Sequence, residues 1–368
     1  MKVVHLSSAH QVNDIRIFFK ECRSLVSAGF DVTLIANGRE HGVKDGVKIR
    51  SVEKSQHNRF LRMTSTVLRV WRMARDEKAD IYHIHDPELL PAAALLRLAG
   101  HHVIYDAHED VPSQIITKYW IPRAARLPVS RLFNAFEKYV ARYLGQVVTA
   151  TPGIAERFSS VPTTVVQNFP LLEELNRLAE EDSHAEKERL VVYAGGLTAI
   201  RGAREMVEAM EIVGSHDIRL VIAGHIKPAE LEADLRQMAG WRYVEYLGWQ
   251  DRSSMLRLLA RARAGLVLFH PGPNHAESQP NKIFEYMSAG LPVIASNFPF
   301  WEQFISKPET GFMVDPRSPE EIASAIIRVF NDLDESEEMG RRGRLLVAER
   351  YSWENEAQKL IDLYNSMA

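Results

Sequence analysis

Residues 264–296 read AGLVLFHPGPNHAESQPNKIFEYMSAGLPVIAS. The apolar run 264–269 is short and runs into a Pro/Gly/Asn loop, which predicts a strand buried on both faces. From about residue 280 to 289 the apolar spacing turns helical. Gly290 stops that helix, and LPVIAS is the next strand. Strand, loop, helix and strand in this order form one unit of a parallel α/β sheet. Ligands of such sheets sit beyond the carboxyl ends of the strands, where the loop lies.

Two carboxylates, Glu277 and Glu285, bracket the loop and helix with seven residues between them, and Asn281 and Lys282 stand beside them. An ionised carboxylate can accept from both hydroxyls of a ribose, in charge-assisted bonds of about 1.5–3 kcal/mol each. Glu285, one turn into the helix, suits that role, while Glu277, in the loop, points at a transferred sugar. The helix amino end and the Lys282 ammonium both favour a diphosphate. This set resembles the glutamate–seven–glutamate signature of the retaining family 4 (group 1) glycosyltransferases, in its NKxFEYMxAG variety. The resemblance implies an α/β protein of two Rossmann-like domains facing across a cleft, the GT-B arrangement. Relatives more often carry glycines where this chain has Gln279 and Pro280. Pro280 has no backbone donor, so the Asn281 amide is expected to take its place.

The 368 residues suffice for two domains, and no apolar run is long enough to span a bilayer. The start, MKVVHLSSAH, goes straight into a strand without a leader-like apolar stretch. Cys22 is the only cysteine, which excludes an intrachain disulfide and a cysteine-built zinc site, and makes a reduced cytoplasmic location the default. The net charge of −3 divides unevenly: residues 1–170 hold 23 Lys+Arg against 16 Asp+Glu, and residues 171–368 hold 22 against 32. The first half is basic and the second acidic.

Along the first half, a strand at 2–7 is followed by a helix in which Ile15, Phe18, Cys22 and Leu25 recur, with Asn13 or Asp14 as its cap. No G-x-G-x-x-G follows that strand, so a dinucleotide-binding reading fails. Asp14, Arg16 and Lys20 occupy this region, and Arg16 and Lys20, four apart on one helical face, are fit to hold an acceptor phosphate. A solvated amphipathic face is the alternative. Strands at 31–36 and 47–52 lead into the helix 59–78, with six basic and two acidic residues. Two further strands end in loops bearing His85 and His108. His83 and His85 point to one face of their strand, but no third ligand of definite geometry appears, so no metal is expected. His85 is instead assigned to the acceptor side. His108 resembles the family histidine whose ring meets the donor sugar, and its alternative is a histidine satisfied by Asp106 or Asp110. Residues 118–145 mix six basic residues with one acid and many aromatics, which fits either an interfacial membrane contact, with Trp120, Phe133 and Tyr139 inserting, or a helix packed on the sheet. Asn168 matches the asparagine of the family's PNG element, with Phe169 in place of its glycine.

In the second half, AGGLTAIRG resembles the family's GRLxxxKG element, whose basic side chains hold the donor diphosphate. Arg201 stands at the lysine position beside Gly195, and Gly196 stands where the arginine is usual, so Lys282 is expected to help balance the charge. Strands at 218–224 and 243–248 follow, and in relatives the loop near Leu247 cradles the nucleobase. The expected divisions are an acceptor-binding domain at 1–170, a linker at 171–188, a donor-binding domain at 189–352, and a final helix at 353–368 crossing back to the first domain. The implied reaction is retaining transfer of a sugar from a UDP- or GDP-linked donor, in polysaccharide or other glycoconjugate synthesis, with His108 and Glu277 at the reacting centre and no cofactor. The expected partners are the nucleotide-sugar, a sugar or lipid-linked acceptor and an anionic membrane surface at its inner face, without nucleic acid. A non-catalytic nucleotide-sugar-binding subunit and an epimerase of the same fold are the alternatives.

Overall fold

The computed structural model describes residues 1–367 except 54–58, 119–120, 175, 179–186, 273–274 and 276–277. Glu277, Trp120 and much of the expected linker therefore lie outside the described residues. Two compact units result, one of Met1–Asn168 with Trp353–Ala368 and one of Phe169–Ser352.

The first unit is built on eight strands: β1 (Lys2–Gln11), β2 (Asp31–Asn37), β3 (His41–Lys44), β4 (Val47–Val52), β5 (Ile81–Ile84), β6 (His102–Ala107), β7 (Val147–Thr149) and β8 (Thr163–Val165). Their order is β3-β4-β2-β1-β5-β6-β7-β8, parallel throughout except for the β3–β4 pair. That pair is a hairpin the apolar pattern does not announce, because β3 is exposed along its whole length. Its turn carries the signal instead: Asp45 and Gly46 both adopt positive φ, as a two-residue primed turn requires. The sheet is flanked by helices that include α1 (Arg59–Glu77) and α2 (Arg123–Leu144), the latter ended by Gly145 at φ 86°. Tyr82, Tyr105, Ala141 and Leu144 contribute to the core on that side.

The second unit is a six-stranded, all-parallel sheet of β9 (Leu190–Ala194), β10 (Arg219–Ala223), β11 (Val244–Gly248), β12 (Ala264–Val267), β13 (Val293–Ser296) and β14 (Gly311–Val314), in the order β11-β10-β9-β12-β13-β14. Alternate residues of β9 feed two cores: Leu190, Val192 and Ala194 pack with Phe284 and Trp301, while Val191 and Tyr193 pack with Met206 and Ile326. Burial on both faces is why these strands read as unbroken apolar runs. The helix α3 (Asn281–Ser288) joins β12 to β13. A Cβ on Gly265 would lie 2.2 Å from the Tyr286 ring, so only glycine lets α3 settle there, and the Tyr286 hydroxyl accepts a hydrogen bond from the Ala194 N–H at 2.8 Å. The last helix, α4 (Trp353–Asn365), belongs to the first unit, where Trp353 Nε1 donates to Ser24 Oγ at 2.9 Å.

Candidate active site

In the second unit a cavity of about 590 Å³ opens at the carboxyl ends of β9 and β10, lined among others by Gly195, Gly196, Arg201, His225, Lys227 and Trp249. Two glycines shape it. Gly195 leaves β9 at φ +102°, and a Cβ on Gly224 would lie 2.1 Å from the Gly195 carbonyl, so the two strand ends approach as only glycine permits. Arg201 ends the short turn Ala199–Arg201 and folds back, donating from Nη1 to the Gly196 carbonyl at 2.6 Å with its guanidinium over the Phe269 ring. The position lacking the family arginine is thus occupied by this one's hydrogen bond.

Lys282, in the first turn of α3, holds its Nζ 4.0 Å from the centroid of Tyr193, buried and without a hydrogen-bond partner among the described residues. Burial, then repulsion from Arg201, pushes its pKa down to about 7, against a smaller pull from Glu285. Two cations stand together with aromatic faces and a carbonyl for company, an arrangement that an anion would complete. Nucleotide-sugar affinity is therefore expected to be pH-dependent. An anion seated here raises the Lys282 pKa, so binding takes up a proton, and affinity weakens as pH rises through and above 7. Titration by calorimetry at several pH values checks this, and Lys282→Met should bind more weakly with a flatter profile. That variant separates Lys282 from His225 and His275, which line the cavity beside it.

Glu285 is not solitary. Its Oε1 accepts from Arg252 Nη1 at 2.9 Å, and Arg252 turns its other nitrogens to Glu174 at 2.8 and 2.5 Å. No local signal could have exposed Arg252, whose partners lie 33 and 78 residues away. One carboxylate oxygen thereby accepts from Arg252, so a ribose held as the resemblance implies would rely chiefly on the other. Glu285→Ala is accordingly expected to weaken nucleoside diphosphate binding by about 2 kcal/mol, near the value of one charge-assisted bond. Unchanged affinity in calorimetry would refute the ribose assignment. Asn281, the first residue of α3, is exposed. Leu247 is partly exposed and its carbonyl accepts from Gln250 Nε2 at 2.9 Å, but Trp249 and Gln250 are the residues of that loop that line the cavity. Lys227 and His225 follow β10 directly, and the strand-end rule applied to β10 would have found them.

In the first unit, β1, β5 and β6 bring His5, His83, His85 and Asp106 together in the interior. His5 Nδ1 and His85 Nε2 are 2.9 Å apart, His83 Nδ1 is 2.6 Å from the Tyr364 hydroxyl of α4, and that hydroxyl is 3.3 Å from His5 Nε2. Burial pushes His5 and His83 well below the ordinary imidazole value and His85 down to about 4, so all three rings are neutral at pH 7. Asp106 is also driven up by burial, but Arg16 and then His108 outweigh this and hold its carboxyl well below the usual range. Arg16 meets Asp106 at 3.1 Å and Glu21 at 3.0 Å. His5, Glu21, His83 and His85 have ligand atoms within 4.8 Å of one another, a grouping that His83 and His85 alone do not reveal in sequence. Within this group only His5 and His85 stand at hydrogen-bond distance, Glu21 lying 3.7 and 3.8 Å from their rings, and Arg16 already supplies the positive charge Glu21 and Asp106 face.

This geometry corrects three expectations. Arg16 is buried and committed to Asp106, Glu21 and the Val166 carbonyl, so it does not await an acceptor phosphate. Lys20 is buried and donates to Asn168 Oδ1 at 2.6 Å. His85 is interior, not acceptor-facing. Asp14 caps the helix Ile15–Cys22, accepting from the Arg16 and Ile17 N–H groups, and pairs with His10 at 3.1 Å. His108 differs from its neighbours: its side chain is 13% exposed, its Nδ1 lies 3.2 Å from Asp106, and its ring stacks on His85 and meets the edge of His10. His10 was missed, having no signal beyond its place at the end of a strand.

Two α/β units, one sheet parallel throughout and the other parallel except for its β3–β4 pair, make this the fold of the GT-B glycosyltransferases. Residues 188–332 match the family model for group 1 glycosyl transferases and residues 19–167 that for a glycosyl transferase 4-like domain, and the chain belongs to the group 1 glycosyltransferases. It is 26% identical, over 367 residues covering 92% of this chain and 90% of the relative, to an uncharacterised glycosyltransferase of Methanocaldococcus jannaschii. A GDP-mannose-dependent α-(1-6)-phosphatidylinositol monomannoside mannosyltransferase of Mycobacterium tuberculosis is 26% identical over 216 residues, 59% of this chain and 42% of that protein. Among solved structures, Anabaena HepE in complex with UDP and glucose shares the fold with a TM-score of 0.71 at 13% identity, the match covering 100% of both chains.

Proposed function

We propose that this glycosyltransferase moves a sugar from a UDP- or GDP-linked donor to an acceptor with retention of anomeric configuration, in cell-surface polysaccharide or other glycoconjugate synthesis. The observation that carries the reading is the cation pair at a glycine-walled cavity: Arg201 lines it, and Lys282, its Nζ unpartnered among the described residues, stands beside Gly195 at its wall. In it the diphosphate lies against Arg201 and Lys282, the ribose against Glu285, and the base near Trp249. As the glycosidic bond breaks, charge grows on the leaving diphosphate, and fixed cations there stabilise the transition state more than the ground state. The leaving phosphate accepts the acceptor's proton, and His108 and Glu277 orient the sugar, as the family resemblance assigns them. No divalent metal takes part in this reading. The acceptor is anionic and lipid-linked at an inner membrane surface. Supporting this are the basic first half of the chain and a relative named for acting on a phosphatidylinositol mannoside. Each cation near anionic lipid contributes about 1 kcal/mol.

Thermal stabilisation with a panel of uridine and guanosine sugar-nucleotides tests the donor assignment. At least one member should raise the melting temperature of the wild type, and less that of Glu285→Ala. A panel without effect at millimolar concentration would remove the nucleotide-sugar reading.

A further inference from the structure

Helix α2 packs by one face and leaves another uncovered. Ser130, Glu137, Ala141 and Leu144 are buried against the first unit. Leu132, Phe136, Tyr139 and Tyr143, spaced i, i+4, i+7 and i+11, fall on a single stripe that is 71%, 42%, 75% and 46% exposed. Scattered apolar residues on a surface need no explanation, but an aligned stripe of four marks a docking face. Phe133, which the sequence offers as an inserting residue, is only partly exposed, whereas Tyr139 is the most exposed of the stripe.

The charges of α2 say what covers this face. Arg131, Lys138 and Arg142 run along one flank of the stripe, and the helix's single acid, Glu137, is buried with the Tyr105 hydroxyl and Arg157. Every exposed charge on the helix is therefore positive. A second copy of the same face would bring these cations against their own kind. An anionic lipid interface accepts both features, taking the apolar stripe at the acyl boundary and the cations among the phosphates. We propose that α2 lies in the plane of an anionic lipid surface, with the stripe Leu132, Phe136, Tyr139 and Tyr143 inserted. This goes beyond the function proposed above, which asks only that the basic half be drawn to such a surface.

The only native cysteine, Cys22, is fully buried, so an environment-sensitive fluorophore can be placed selectively at Leu132→Cys, or at Leu68→Cys on the exposed side of α1 as a comparison. With vesicles of equal phosphatidylcholine and phosphatidylglycerol, the probe at 132 should shift to the blue and the probe at 68 should not. Leu132→Ser with Tyr139→Ser, both at exposed positions, should lower vesicle partition by about tenfold while leaving the melting temperature and nucleotide-sugar binding unchanged. Flotation with the probe at 132 still in water overturns the insertion and leaves electrostatic approach standing. No flotation even at low salt overturns both the insertion and the membrane part of the proposed function. A blue shift that appears without lipid, on concentration, assigns the face to a second copy and also overturns the proposal.

Discussion

Replacing Asp106 by alanine destabilises the first unit by about 3–5 kcal/mol, the cost of stranding a buried charge. The side chain is fully buried and answers the Arg16 guanidinium directly. His108 Nδ1 and His85 Nδ1 also lie 3.2 and 3.4 Å from its oxygens. Arg16 cannot discharge itself at any ordinary pH, so removal of its partner leaves a cation in the interior with Glu21 as its remaining carboxylate. Burial and Asp106 together push the Glu21 pKa well up, so in the wild type Asp106 carries the negative charge of this pair. Urea denaturation of the variant checks the value, and a midpoint within experimental error of wild type would mean that Arg16 reaches solvent. Asp106→Asn should retain part of the lost stability, because the amide oxygen still accepts from Arg16.

Arg201→Ala should lower turnover by about a hundredfold or more, as removal of a single preorganised transition-state donor does. Arg201→Lys should recover part of it. Ground-state binding should fall less than turnover, for a physical reason: Arg201 is the main charged group depressing the Lys282 pKa, so its loss lets Lys282 hold its proton more firmly. The remaining cation binds the diphosphate but cannot reproduce the arrangement of two. Single-turnover rates with saturating donor check this. Near-normal turnover of the alanine variant would place the diphosphate on another cation, such as Lys227 in the same cavity.

What the sequence discloses here is what depends on local pattern. The β12–α3–β13 unit is legible because three signals agree over 33 residues: apolar runs, helical spacing and a glycine stop. The hairpin strand β3 is exposed and gives no apolar signal, although Asp45-Gly46 announced its turn. Arg16 and Lys20 show the limit most clearly. Their spacing fixes a shared helical face, but whether that face meets water depends on Asp106 and Asn168, which lie 90 and 148 residues on. The same distance hides Arg252 behind Glu285. His83 and His85 do share one strand face, their rings stacked at 4.7 Å, as alternation predicts. Their partners His5, Glu21 and Tyr364 come from other elements and are invisible to any local rule. For α2 the packed reading of residues 118–145 holds for one face, with Glu137 inward, and leaves another face exposed, with Tyr139 outward.

The central claim is that this chain is a competent transferase and not a silent nucleotide-sugar binder, despite glycine at position 196. Phosphorus NMR of the purified protein with a binding nucleotide-sugar, without acceptor, tests it most directly. The account predicts slow release of nucleoside diphosphate by hydrolysis, retained after EDTA treatment and abolished in Arg201→Ala. A donor that binds the wild type tightly yet stays intact for as long as in buffer alone would contradict it.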